Sequence, residues 1–294
     1  MFTFSDAPLL SMAGDIRFDV VVPEHPVQRK IKPLRGWSRQ LRQGLGLRGP
    51  AHALVADAHG VWAWSPDDCY AAATRHGGVR EWMRANAGAD LRLWVSGDLT
   101  QSIDDVTALP RRDEAGLRTH ARQAFVDLHG DAAASWPLAT WRNDVSLGVV
   151  ALAGIDLDAL RRHGTQSGVR IRSVAPWWHH AFVEARRCVP NLVQAQSAHV
   201  CVVEGRSAAW IALANGAMSY LRRCVLEEAT VDALRSTIAR MGADAAGDDV
   251  PTVVLGQGLA DGGDTSRIEA LVLGRLDGEQ PPQWLRPATQ LEVH

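Results

Sequence analysis

One pattern constrains this chain more than any other: an apolar hairpin followed by a helix and another apolar strand, present twice. In the first copy Ala53–Ala56 is a short apolar run and Asp57-Ala58-His59-Gly60 supplies turn residues. Val61–Trp64 runs back. Asp and Gly serve such a reversal because Asp bonds its own backbone and Gly tolerates positive φ. A helix over Gly78–Ala87 and a strand over Leu91–Val95 follow. The second copy opens at Ala198–Val203, turns at Gly205-Arg206-Ser207 and returns over Trp210–Ala214. It turns again at Asn215-Gly216, a hairpin signal, into Met218–Arg222. A helix over Leu226–Met241 and a buried strand over Thr252–Leu255 complete it. Strands mixed with amphipathic helices predict an α/β protein built twice on one plan.

Between the copies the apolar spacing predicts a helix over Ala115–Leu128 and strands over Trp136–Trp141 and Val145–Leu152. Asp156 is placed to cap a helix running to Gly164. Val169–Val174 reads as a strand, and Pro176 opens a helix through Cys188 with Trp178, Phe182 and Ala185 inward. Ile268–Leu273 is a further strand or short helix. The division expected is a basic N-terminal segment 1–50, a first subdomain 51–190, a second 191–280 and a Pro-rich tail 281–294. Within the basic segment, Arg17–Val22 alternates like a strand and Gly36–Leu47 is spaced like a short helix.

A chain of 294 residues can bury a large core without disulfide or metal. Its net charge of -2 gives no global positive field for nucleic acid, so no nucleic-acid partner is expected. The cysteines Cys69, Cys188, Cys201 and Cys224 form no CxxC pair, which argues against zinc. Cys201 lies in an apolar run, as a buried thiol in a reducing compartment does. No signal peptide is read at the N-terminus, and no apolar run reaches the roughly 20 residues of a membrane span. Abundant Ala, with Lys confined to Lys30 and Lys32, fits a GC-rich bacterial genome. His179-His180 lack further ligands at metal spacing and read as helix face and core. No Gly-x-Ser-x-Gly elbow or Gly-Lys-Ser/Thr phosphate loop is present.

The duplicated hairpins, with Val145–Arg187 and Val202–Arg223 as the best matching stretches, resemble the actin-like ATPase superfamily. Within it the chain is similar to PilM and GspL, the cytoplasmic platform proteins of type IV pilus and type II secretion machines. The resemblance covers roughly Ala51 to Leu273 and lies in the order of elements. It implies an actin-like (ribonuclease H-like) duplicated two-subdomain fold in degenerate form. It also implies nucleotide-binding candidates: Asp57 and Gly60 in the first phosphate loop, Glu204 and Gly205 in the second, and Gly256 and Gly258 on the adenosine side. Gly262-Gly263 would follow that glycine pair, while Asp57, Asp261 and Asp264 read either as solvated turn residues or, near a nucleotide, as Mg²⁺ ligands.

This chain departs from the family pattern where small residues are needed for amides to approach phosphate, because His59, Trp62 and Arg206 are bulky. The expectation is a non-catalytic scaffold with no bound cofactor. It would associate with the membrane through a partner, by holding the cytoplasmic tail of an inner-membrane pilus or secretion subunit. Arg35, Trp37, Trp177 and Trp178 are the partner-binding candidates, since aromatic and arginine side chains favour interfaces. The alternative is a nucleotide-binding ATPase or kinase-like enzyme using ATP and Mg²⁺ on the same fold.

Overall fold

Strands rich in Val, Leu and Ala form where both sheet faces are covered, and here they assemble two sheets of one design. The computed structural model describes residues 17–18, 51–64, 73–103, 114–142, 147–244, 250–260 and 265–278. The strands are β1 (Arg17–Phe18), β2 (His52–Asp57), β3 (Gly60–Trp64), β4 (Thr74–His76), β5 (Asp90–Val95), β6 (Thr100–Ile103), β7 (Leu138–Arg142) and β8 (Leu147–Leu152). They continue with β9 (Arg170–Pro176), β10 (Ser197–Glu204), β11 (Ser207–Ala214), β12 (Ala217–Val225), β13 (Thr252–Gln257) and β14 (Leu271–Leu273). The described helices are α1 (Val79–Ala85), α2 (Glu114–His129), α3 (Leu157–Ser167), α4 (Trp177–Cys188), α5 (Asn191–Gln194) and α6 (Val231–Asp244).

The first sheet has the order β4-β3-β2-β5-β9 and the second β12-β11-β10-β13-β14. In each, an antiparallel meander of three strands is extended by two parallel strands. The duplication expected from the two hairpins is therefore a duplication of sheet topology. A smaller antiparallel sheet, β1-β7-β8-β6, takes β6, β7 and β8 from the chain between β5 and β9 and β1 from near the N-terminus. Its strand β8 and helix α2 bury Leu117, Ala121, Phe125, Val149 and Ala151 as a separate core. The chain leaves and rejoins the first sheet at one place, where Gly154 N–H donates to Leu99 O at 3.4 Å.

Helix α4 explains how the sheets share a core. Trp177, Trp178, Phe182 and Ala185 are buried among Val55, Trp94, Val200, Val202, Ile211 and Val253, which come from both sheets. Burying a side chain the size of Phe182 stabilises a fold by about 1.5–3 kcal/mol. The far face of the first sheet is covered by α1 and α3, through Trp82, Met83 and Leu160. The far face of the second is covered by α6, through Leu234, Ile238 and Met241.

Local signals act as expected at several points. Asp156 Oδ1 accepts from Ala159 N–H at 2.8 Å and caps α3. Asn215 and Gly216 take φ of 50° and 74°, the pair of positive values a type I′ hairpin needs. Other expectations are corrected. Helix α3 continues past Gly164 to Ser167, because Gly164 has no Cβ and lets the helix lie against Val169 O. Leu226 is not helical. Its N–H donates to Arg206 O at 2.8 Å, prolonging the hairpin, and α6 starts only after Thr230, whose Oγ1 accepts from Ala233 N–H. Strand β7 starts at Leu138, because Asp131–Ser135 is a 3-10 turn. The helix expected at Gly36–Leu47, together with Arg35, Trp37, Cys69, Asp261, Gly262, Gly263, Asp264 and the tail, lies outside the described residues.

Candidate functional site

The C-terminal ends of β2 and β10, where the two hairpins turn, both reach one short turn. Ser96 N–H donates to Ala56 O at 2.8 Å, beside the first hairpin. Gly97 N–H, the next residue, donates to Glu204 Oε2 at 2.7 Å, at the tip of the second. The turn itself is a 3-10 helix over Gly97–Leu99 with Ser96 as its cap. It follows β5 directly, and β5 lies next to β2 in the sheet. Sequence reasoning missed it. Its local signal is a Ser-Gly-Asp turn after an apolar strand, and nothing in that signal points to Glu204.

At the first hairpin, Asp57 is committed to its own turn. Its Oδ1 accepts from His59 N–H at 2.7 Å and its Oδ2 from Trp62 Nε1–H at 3.2 Å. Arg75 from β4 lies over the Trp62 ring at 5.3 Å. Gly60, at φ 156°, is pressed against β4, and a Cβ there would stand 2.6 Å from His76 O. His59 and Trp62 are thus tied to Asp57 rather than turned away to expose amides.

The second hairpin is brought together with the glycine loop. In the β10–β13 register Val203 faces Gly256 and Glu204 faces Gln257. Gly205 N–H donates to Gln257 O at 2.9 Å, and Gly258 N–H donates to Gly278 O at 2.8 Å. Gly256 is required because a Cβ there would lie 2.0 Å from Val203 O, and Gly258 because a Cβ would lie 2.9 Å from Gly205 N. The glycines let two strand ends touch. Arg206 folds away from the tip, its Nε donating to Leu226 O at 3.2 Å.

Glu204 is the chemical centre of this junction. It is 6% exposed, and its Oε1 is buried without a hydrogen-bond partner. Burial pushes its carboxyl up to about 8; the Gly97 N–H, the Ser96 side chain and Arg223 pull the other way, and Asp98 adds to the rise. Arg223 links the halves again, its Nε donating to Ser207 Oγ at 3.2 Å and its Nη1 to Gln101 Oε1 at 2.9 Å. A cavity of about 10 Å³, room for roughly one water, is lined by Gly97, Thr100, Glu204, Ser207, Leu221 and Arg223.

The remaining candidates separate from this site. Trp177 and Trp178, expected as exposed partner anchors, are 5% and 3% exposed and belong to the core between the sheets. Pro176 starts α4 with its first turn already covered on two sides, which leaves these rings no surface for a partner. His179 and His180 are held neutral, lowered to about 4 and about 3, in both cases chiefly by burial. The His180 ring packs on Trp94 at 4.4 Å. Among the described residues no group of three His, Cys, Asp or Glu side chains is placed to hold a metal ion. Among them, too, no helix is long and apolar enough to cross a membrane.

No protein-family model matches the chain, and no curated protein matches it by sequence. Among solved structures it is similar to a Bacteroides thetaiotaomicron protein with an actin-like ATPase fold and unknown function, at 8% identity and TM-score 0.50, covering 76% of this chain and 89% of that one. It is also similar to the cytoplasmic domain of EpsL, an inner-membrane component of the type II secretion system of Vibrio cholerae, at 12% identity and TM-score 0.43, covering 70% and 81%. A chain of the PilM–PilN type IV pilus biogenesis complex is similar at 10% identity and TM-score 0.43, covering 72% and 82%. With two sheets of one topology, hairpin tips converging on one turn and the Bacteroides structure as its neighbour, this chain has the actin-like α/β fold.

Proposed function

We propose that this chain is a non-catalytic, actin-like cytoplasmic scaffold of a type IV pilus or type II secretion-like inner-membrane platform, and that it binds the cytoplasmic tail of a membrane subunit. One observation carries the non-catalytic part: the loop amides that phosphate would need are bonded within the protein. His59 N–H is held by Asp57, Gly97 N–H by Glu204, Gly205 N–H by Gln257 and Gly258 N–H by Gly278. A phosphate gains affinity from such amides only when they are unoccupied and aimed at it. The element-order resemblance to pilus and secretion platform proteins supplies the partner class. Arg35 and Trp37 of the basic segment are the residues proposed to meet the tail.

Calorimetric titration with ATP and Mg²⁺, paired with capture by the cytoplasmic tails of inner-membrane pilus and secretion subunits, tests the reading. Saturation by ATP would replace it with the nucleotide-dependent alternative, in which Asp57, Gly60, Glu204, Gly205, Gly256 and Gly258 make the contacts. Failure of every tail to bind would remove the platform role.

A further inference from the structure

We infer that Glu204 and the Ser96–Leu99 turn form a proton-dependent latch that holds the two sheets together where their hairpin tips converge. Glu204 stands at the tip of the second sheet's hairpin and its partner Gly97 follows β5 of the first, so their bond ties one sheet to the other. The fit is tight. A Cβ at residue 97 would lie 2.8 Å from Glu204 Oε2 and 2.9 Å from Ser207 Oγ.

The carboxyl has only part of the partners a carboxylate needs. Oε2 has the Gly97 amide, the Ser96 side chain also favours the charged form, and Oε1 has no hydrogen-bond partner. A neutral acid tolerates that environment far better than an anion does. The charged groups bearing on it are few. Asp98 on the same turn repels an anion, and Arg223 on β12 attracts one while donating to Ser207 and Gln101. Thr100 of β6, Ser207 of β11 and Trp178 of α4 complete the lining without charge. Losing the proton therefore favours opening, because opening lets water reach both oxygens. With the carboxyl raised from 4.5 to about 8 in the closed state, closure is fully favoured below pH 4.5, weakens steadily as pH rises from 4.5 to 8, and levels off above 8, where both states are ionised.

The latch rests on the reading that the loop amides are bonded within the protein without nucleotide, and hydrogen exchange separates the two. Protection is measured by mass spectrometry on the full chain from pH 6 to pH 9, corrected for intrinsic exchange, in segments 96–103 and 204–210 with 231–241 as reference. The expected result is a loss of protection in the first two segments, relative to the reference, of up to about a hundredfold from pH 6 to pH 8, with little further loss at pH 9. In Glu204→Gln, which keeps an acceptor for Gly97 and cannot ionise, that differential loss is absent. Equal pH dependence in all three segments of the wild-type protein would overturn the latch, and this outcome is readable even if the variant does not fold. Differential loss that persists unchanged in a folded Glu204→Gln would overturn it as well. A separate arm adds ATP and Mg²⁺ at pH 7. Protection gained there would defeat the non-catalytic reading, while the pH series would still decide the latch.

Discussion

Gly97 and Glu204 are 107 residues apart in sequence and meet through a 2.7 Å hydrogen bond from main-chain N–H to buried carboxyl. The contact leaves no space at the glycine α-carbon, since an added methyl would press on Glu204 and on Ser207. Gly97→Ala is therefore expected to destabilise the protein by about 1–3 kcal/mol, the usual cost of overpacking a filled site. Urea unfolding followed by tryptophan fluorescence measures it. A midpoint equal to wild type would show that the junction has slack.

Gly256→Ala is expected to be more damaging. The added methyl meets the main chain of Val203 rather than a side chain that can swing aside, and φ at this position is 143°. Both effects act on the central strand pair of the second sheet, so a loss of about 3 kcal/mol or more is expected. Circular dichroism and thermal unfolding report it. A variant within about 1 kcal/mol of wild type would mean that β13 can move away from β10 at little cost.

Asp90 makes a local ion cluster at the start of β5. Its carboxylate is 1% exposed and receives Arg170 Nε at 3.1 Å, Arg170 Nη2 at 2.9 Å and Arg172 Nε at 2.8 Å, with Arg172 Nη2 closing the pair. The two guanidinium groups are 38% and 36% exposed, so water can take over their solvation when the acid is removed. Asp90→Ala is thus expected to cost about 1–3 kcal/mol, below the range for a fully buried pair. Urea midpoints measure it, and a loss well above that range would show that the arginines cannot reach water.

The histidines of α4 set an acid limit. Both rings are lowered from 6.5, His179 to about 4 and His180 to about 3. Above pH 6.5 folded and unfolded states are alike neutral and the rings contribute nothing to the slope. Below it the unfolded chain takes up protons that the folded chain refuses, so stability falls as pH drops from 6.5 toward 3. Urea midpoints at pH 7, 5.5 and 4.5 should decline, and His180→Phe should decline less steeply. Identical slopes in the two proteins would locate the acid sensitivity elsewhere.

What was legible in the sequence was what neighbouring residues decide. The hairpins at Ala53 and Ala198 announce themselves through apolar runs and Asp, Asn and Gly at the turns, and Asp156 announces α3 as a cap. Strand β4, Thr74–His76, is short, polar and at an edge, so ladder bonds to β3 define it rather than any pattern of its own. Strand β6, Thr100–Ile103, is hidden in the same way. Leu226 shares the apolar spacing of α6, but the bond to Arg206 holds it in the hairpin. The aromatic pair Trp177-Trp178 would look alike on a surface and on a helix wedged between sheets. The wide apolar arc of α4, from Trp177 through Cys188, was the available sign of the second. At the candidate site Glu204 and the glycines could be named in advance. Gly97 could not, because its role depends on a partner far away in the chain.

The contact between Gly154 and Leu99 gives the small antiparallel sheet the character of a cassette. Residues 100–153 depart and return through points within one hydrogen bond of each other, so their length does not alter the path from β5 to α3. A chain joining Leu99 to Gly154 through a tight turn would keep the strand order of both large sheets, but it would remove Gln101, the partner of Arg223, and Val150 and Leu152, which are buried in their cores. The accessory sheet is therefore grafted at one point of the chain but packed at several, and helix α2, whose core is its own, is the part that can be reshaped without refolding the centre.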